Sequence, residues 1–344
     1  MNILTKCKHA LGLLAAAAVS ISLAGAVHAA KPLKFIFVSP DAIGVNAFLK
    51  MGKTGIEAAG KKYGAEVKTF ESDSPQSRLE NVNAAVNEGA DVVVVLGFEF
   101  NDILMDVAPT APNTKFLIVD QCIFKDRPAN VSCAVFREYE PSYLMGVIAG
   151  MNTKTGKIGA VSALDIPFLH RYTDGFAMGA KSVNPKVEVD VRWVGGANPF
   201  ADPVRAKEQA LALHAAGADV IFAVTAGGDF GIFEGAKQAG YKVLSVDVNH
   251  CPSAPGSIYD NTLKHVDTVI VKSIGSILSG KGAPIVSYGL KEGGMGSLSV
   301  SSNKILAASQ CLVAKEPKVV AKVRAVADDI ISGKLKIADP MFAK

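Results

Sequence analysis

Gly89-Ala90-Asp91-Val92 returns as Gly217-Ala218-Asp219-Val220, 128 positions later, each time behind an Ala-rich helical pattern and ahead of an apolar run. Lys115-Phe-Leu-Ile-Val-Asp120 follows the first copy and Lys242-Val-Leu-Ser-Val-Asp247 the second, an offset of 127. Lys34-Phe-Ile-Phe-Val-Ser39 and Lys157-Ile-Gly-Ala-Val-Ser162 repeat with an offset of 123. Solenoid repeats are roughly 20 to 50 residues long, so a period this large means one α/β unit present twice. Two similar lobes facing one another enclose a cleft, which is where a ligand is expected.

Lys6 and Lys8 precede an apolar stretch, and Val27-His28-Ala29 supplies small residues around a cleavage point. This pattern predicts a secretory signal peptide over 1–29, cut near Ala29, and a periplasmic location. Leu23-Ala24-Gly25 is followed by Ala26 and not by a lipid-bearing Cys, so an unlipidated chain is expected. Loss of Lys6 and Lys8 takes the formal charge from +4 to +2, with no clustered basic face of the kind nucleic acid requires. A monomer that binds no nucleic acid is expected. Cys122, Cys133, Cys251 and Cys311 follow the signal, and four cysteines in an exported chain allow three pairings. Cys122 with Cys133 would close a short loop between two predicted strands, leaving Cys251 with Cys311; buried free thiols are the alternative. None of the spacings fits a zinc site.

Short β-rich runs alternate with amphipathic helical patterns, the signature of parallel sheets covered on both faces. Strands are predicted at 34–39, 66–71, 91–96, 115–119 and 131–136, then at 157–162, 187–194, 220–225 and 242–247. Helices are predicted near 46–62, 76–88, 101–107, 139–152, 168–182, 202–216, 230–239, 266–278 and 317–331. The expected first lobe is 30–153 with about 257–310, and the second is 154–256 with about 311–344, joined by three crossings that act as a hinge. Ligands of open α/β sheets lie beyond the carboxyl ends of the strands. The segments to watch are therefore 39–48, 97–101, 120–124, 163–168, 225–230 and 247–250.

Ala226-Gly227-Gly228-Asp229 follows a strand and opens a helix, so Gly227 is a place where backbone N–H groups could meet a ligand. It matches neither the GxxxxGK[ST] nor the full GxGxxG phosphate loop. Phe98 occupies the equivalent strand end in the first lobe and could stack on a flat ligand, with Phe98 or Phe100 serving the core. Asp120 and Asp247 end equivalent strands, where a carboxylate either caps a helix or accepts hydrogen bonds from ligand hydroxyls. Asp165, His170 and Asp247 with Ser162 or Ser39 do not form a catalytic set: no GxSxG elbow and no HExxH is present.

Phe136-Arg-Glu-Tyr-Glu-Pro-Ser-Tyr-Leu-Met-Gly146, Lys154-Thr-Gly-Lys157 and Asp165-Ile-Pro167 with Arg171 and Gly175-Phe176 come in a distinctive order. Asp202-Pro203 with Lys207, Gly217 to Phe222, Asp247, Lys264-His-Val-Asp267 and Tyr288 to Gly294 complete the series. Together they resemble the basic membrane protein family of ABC-transporter substrate-binding proteins, which includes purine nucleoside receptors. The resemblance implies an α/β, type I periplasmic-binding-protein fold: two similar lobes, each a parallel sheet flanked by helices, joined by a hinge. It implies no cofactor and no catalysis, with a membrane permease as partner and a purine nucleoside or nucleobase as ligand. A flavin, a pyrimidine or a sugar is the alternative ligand; a nucleoside-processing enzyme or a sensor subunit is the alternative class. It places Asp247 and Lys264 near a ribose and Phe222 against a base, with Asn46 matching the family's first loop; Phe98, Asp165 and Gly227 complete the expected ligand contacts. Ser39-Pro-Asp-Ala-Ile-Gly-Val-Asn46 departs from the family's first binding loop, because Val45 stands where a stacking Phe is expected; Phe48 or Phe98 is the expected substitute.

Overall fold

A computed structural model describes residues 31–280 and 284–342. The expected signal segment and its cleavage point near Ala29 lie outside the described residues. No helix among the described residues is long and apolar enough to cross a membrane.

Lys34–Ser39 (β1), Ala47–Tyr63 (α1), Glu66–Glu71 (β2), Pro75–Asn87 (α2), Val92–Leu96 (β3), Asn101–Val107 (α3), Lys115–Val119 (β4) and Val131–Phe136 (β5) open the chain. Tyr139–Asn152 (α4), Lys157–Ser162 (β6), Pro167–Val183 (α5), Glu188–Trp193 (β7), Pro203–Ala215 (α6), Val220–Val224 (β8), Asp229–Ala239 (α7) and Lys242–Ser245 (β9) follow. The remainder is Ile258–Lys264 (β10), Val266–Ser279 (α8), Ile285–Tyr288 (β11), Met295–Ser297 (β12), Asn303–Ala308 (α9) and Pro317–Ile331 (α10). One sheet has the order β11-β5-β4-β3-β1-β2 and the other β12-β10-β9-β8-β6-β7. The same order twice is the structural form of the sequence repeat, and it differs at one edge: β11 runs parallel to β5, whereas β12 runs antiparallel to β10.

Period-2 alternation sorts the first sheet. Phe35, Phe37, Val92 and Val94 face α1 and α8, while Ile36, Val38, Val93 and Val95 face α2 and α3. Both faces are covered, which is why β3 can be four consecutive valines and a leucine, all buried. α1 starts where the Asn46 side chain accepts from Leu49 N at 3.3 Å and stops at Gly64, whose φ of 67° ends the helix in the left-handed region. In the second lobe α4 and α5 pack so closely that a Cβ at Gly146 or Gly179 would collide with carbonyl oxygens of the facing helix.

That close packing corrects the expected lobe boundaries. α4 shares a core with α5, β6 and β8, so the first crossing is at Arg137-Glu138 and not near 153. β10 pairs with β9, so the chain leaves the second lobe at His265 and not at 257. β11 belongs to the first sheet and β12 to the second, which puts the third crossing at Gly289–Gly294 and not near 310. The three crossings are hydrogen-bonded to each other and to their flanks. Arg137 N donates to Tyr288 O and His265 N to Gly294 O, both at 2.9 Å, while the Arg137 guanidinium binds Glu140 and Glu292. The expected helix over 317–331 forms and packs on α4 in the second lobe.

Both cysteine pairs join as expected, Cys122 with Cys133 and Cys251 with Cys311.

Candidate functional site

The strand ends of the two sheets face each other across a cleft whose empty space, its mouth included, is about 670 Å³. The first lobe supplies Pro40, Asp41, Asn46 and Phe48 after β1, Gly97 to Glu99 after β3, and Asp120 after β4. The second supplies Phe168 and Tyr172 from α5, Phe200 from the loop after β7, Ala226 after β8, Asp247 after β9 and Lys264 at the end of β10. The loop after β1 is fixed from behind: Arg78 donates to Pro40 O and Asp41 Oδ1 at 2.8 and 2.9 Å, and Ile43 N donates to Glu71 at 2.8 Å.

Asp120 and Asp247 occupy equivalent strand ends, and both have left-handed backbones with φ of 81° and 73°. Such a conformation is uncommon for a residue with a side chain and recurs at ligand sites. It turns both carboxylates into the cleft, toward a single cation. The Lys264 amine ion-pairs with Asp120, donates to Glu138 Oε1 at 3.0 Å and lies 3.1 Å from the Tyr172 hydroxyl. Lys264 is 2% exposed. Rings of Phe48, Phe136, Phe168 and Tyr172 surround its amine, with centroids 4.9 to 5.6 Å away. Behind it, Arg171 reaches Glu138 at 3.4 Å and forms a fork with Asp339 at 2.8 and 2.6 Å.

Four carboxylates thus share two buried cations. Burial first, and then the Asp120 charge, push Asp247 and Glu138 up to about 7 against the pull of Lys264. Burial likewise pushes Glu99 up to about 7. Burial alone would lower the Lys264 amine, but Asp120, Tyr172, Glu138 and Asp247 outweigh it and hold it well above the usual lysine range. The cleft is therefore an acceptor-rich polar end beside an aromatic wall. Phe98 and Phe200 meet across it with ring centroids 6.4 Å apart, so the two lobes touch through both the ion pair and the rings.

Of the residues expected at the site, Asn46, Phe98, Asp247 and Lys264 line the cleft; Phe48 lines it too, whereas Val45 is exposed. Phe100 is the core member of its pair, fully buried. Three expectations are corrected. Phe222 sits in the middle of β8, fully buried against Phe176 and Tyr172, with no face toward the cleft. Gly227 is buried against Phe200 O and Ala201 and does not line the cleft; the neighbouring Ala226 does, with a φ of 52°. Asp165 points to the surface, where its Oδ1 accepts from His170 Nε2 at 2.9 Å. Asp229, which opens α7, is turned inward to bind Thr225 and Ser245 and locks the turn. Phe168 falls within the expected 163–168 segment without being singled out, and Tyr172 lies beyond it, although aromatics at i and i+4 just after β6 put two rings on one face of a helix start. Glu138 and Glu99 lie in stretches that the sequence marks without giving either a role, and Phe200 lies outside every expected segment.

Among the described residues no group of three His, Cys, Asp or Glu side chains could hold a metal ion.

A family model described as ABC transporter substrate-binding protein PnrA-like matches residues 33–329. An ABC transporter nucleoside-binding protein BmpA of Lactococcus lactis is 32% identical over 280 residues, covering 74% of this chain and 78% of the relative. Basic membrane protein A of Borreliella burgdorferi is 27% identical over 256 residues, covering 73% and 74%. A solved ABC transporter solute-binding protein from Aeropyrum pernix superposes with a TM-score of 0.75 at 26% identity, over 90% of this chain and 94% of that one. Another, from Conexibacter woesei, gives 0.69 at 20% identity over 90% and 99%, and shares the fold. With two repeated parallel-sheet lobes, a hinged cleft and a family match over nearly all the described residues, the chain belongs to the Bmp family of PnrA-like ABC-transporter substrate-binding proteins.

Proposed function

We propose that the protein captures a purine nucleoside, or the free base, outside the membrane and hands it to the permease of an ABC importer. One observation carries this reading: the cleft is divided into a polar end, where Asp120, Asp247 and Lys264 meet, and a wall of rings formed by Phe48, Phe98, Phe168, Tyr172 and Phe200. Ionised carboxylates accept from vicinal hydroxyls, and a lysine donates to their oxygens. Aromatic faces hold a flat heterocycle. A nucleoside is that combination in one molecule, whereas a sugar leaves the rings unused and a base leaves the polar end unused. The nucleoside-binding name of the Lactococcus relative agrees with it. Because the contacts come from both lobes, solute favours the closed arrangement through differential affinity. Export by a signal peptide cut near Ala29, without lipid, completes the proposal.

The test is a thermal-shift and calorimetry screen with inosine, adenosine, hypoxanthine, riboflavin, uridine and glucose. Ligand at 100 times its Kd adds about 2.7 kcal/mol of stability, enough to register. Asp247→Ala and Lys264→Ala should each weaken nucleosides by about 1.5 to 3 kcal/mol, the worth of a charged hydrogen bond, and barely affect hypoxanthine. Binding of glucose with no response to any purine would refute the reading. Equal losses for base and nucleoside would move Asp247 from the ribose to the ring.

A further inference from the structure

The segment after α10 runs from the second lobe past Arg171 to the first. Leu335 and Ile337 pack on the second-lobe core, and Pro340 is buried. Asp339 then forms its two-pronged pair with Arg171, which is 3% exposed and also donates to Phe136 O at the end of β5, a first-lobe strand. Three residues further on, Phe342 lies with its ring centroid 5.9 Å from the Arg171 guanidinium and 5.5 Å from that of Phe124, edge to face. Phe124 belongs to the first lobe, in the loop that the Cys122–Cys133 bridge closes. Both rings are otherwise exposed, 48% for Phe124 and 60% for Phe342. Two large exposed apolar side chains, carried by different lobes and in contact with each other, form a pair that depends on the angle between the lobes.

We infer that residues 335–342 are a strap that holds the lobes closed, with Asp339 and Phe342 as positioning residues for the solute cleft. Asp339 holds the Arg171 guanidinium; Arg171 spans from α5 to β5 and to Glu138, and Glu138 in turn holds the Lys264 amine between Asp120 and Tyr172. A charge relay of this kind runs from the strap to the cleft, where Lys264, Asp120 and Tyr172 line the cavity while Asp339, Arg171 and Glu138 stand behind it. Phe342 fastens the far end of the strap to a loop made stiff by a disulfide. When the lobes part, the Phe124–Phe342 contact is lost and both rings face water, so the pair favours closure. The inference rests on the cleft being the solute site but not on which solute it takes.

The test measures the distance between the lobes with no solute present, so a failed nucleoside screen leaves it intact. Nitroxide labels go on Glu80→Cys of α2 and Glu208→Cys of α6, both exposed and in different lobes, in the chain from Ala30 with both disulfides formed so that only the labelled positions react. Phe342→Ala and Phe124→Ala should each lower the closed-to-open ratio about two- to tenfold, the range of an aromatic pair. The double variant should go no further than either single one, since both remove the same contact. Asp339→Asn should open the lobes as well, and Asp339→Glu should restore the parental distances, which a general loss of stability would not do. Unchanged distances in Phe342→Ala, additive effects in the double variant, or failure of the Asp339→Glu rescue would each overturn the inference. Phe342 is exposed, so its variant folds even where a change at Asp339 does not.

Discussion

Lys264→Met removes the cation that Asp120, Glu138 and Asp247 share where the lobes meet. Its cost follows from the charge balance. At pH 5, below the value of about 7 to which Asp247 and Glu138 are pushed, both are protonated, and Lys264 with Arg171 balances Asp120 with Asp339. Without Lys264 one further carboxylate has to be neutralised for the cluster to stay buried. An aspartate in the unfolded chain titrates near 3.9, and each unit above that costs about 1.36 kcal/mol. Protonating one on folding therefore costs about 1.5 kcal/mol at pH 5 and about 4.2 kcal/mol at pH 7. The second figure falls within the roughly 3 to 5 kcal/mol range for removing one partner of a buried ion pair, so either route gives a similar loss at neutral pH. Urea unfolding of the two proteins at pH 5, 6 and 7 measures the difference, and solution scattering at each pH records whether the lobes stay closed. The loss should grow by about 1.4 kcal/mol per pH unit. A loss that is the same at pH 5 and pH 7, or below about 1 kcal/mol at pH 7 with the lobes still closed, would refute the shared-cation account.

Asp247 has a folded value raised by burial, so the folded protein keeps a proton that the unfolded chain has lost between about pH 4 and about pH 7, and stability falls as pH rises through that window. Asp247→Asn should remove up to about 1.4 kcal/mol per pH unit of that slope, read from denaturant midpoints; an unaltered slope would show that Asp247 is not the group responsible. The two bridges close loops of different length, with separations of 11 and 60 residues. Cys251→Ser with Cys311→Ser should therefore cost about 4 kcal/mol and Cys122→Ser with Cys133→Ser about 3 kcal/mol by chain-entropy reasoning; the reverse order in calorimetry would mean that native contacts, not loop closure, set the difference.

The sequence by itself determined the elements and the duplication, because both are written in local patterns. β1, β2, β6 and α10 lie where their periodicity puts them, and the 127-residue offset of Asp120 and Asp247 survives as two left-handed strand ends facing one cation. The favoured cysteine pairing, a short loop between neighbouring strands, is the one that forms, but spacing alone left the other connectivities and free thiols open. Tertiary structure alone decided which lobe owns α4 and β10. Each follows a first-lobe or second-lobe strand in the chain with no local mark of the change, and only the glycine-lined contact of α4 with α5 and the ladder of β10 with β9 assign them. It also decided which aromatics reach the cleft. Phe222 and its neighbours in β8 are buried on both faces of a covered sheet, so alternation carries no sign of direction. The cleft lies beyond the strand ends, where Phe48 arrives from α1, Phe168 and Tyr172 from α5 and Phe200 from the loop after β7. Their meeting with Lys264 is a matter of long-range packing, and a one-dimensional pattern records spacing along the chain, not distance across it.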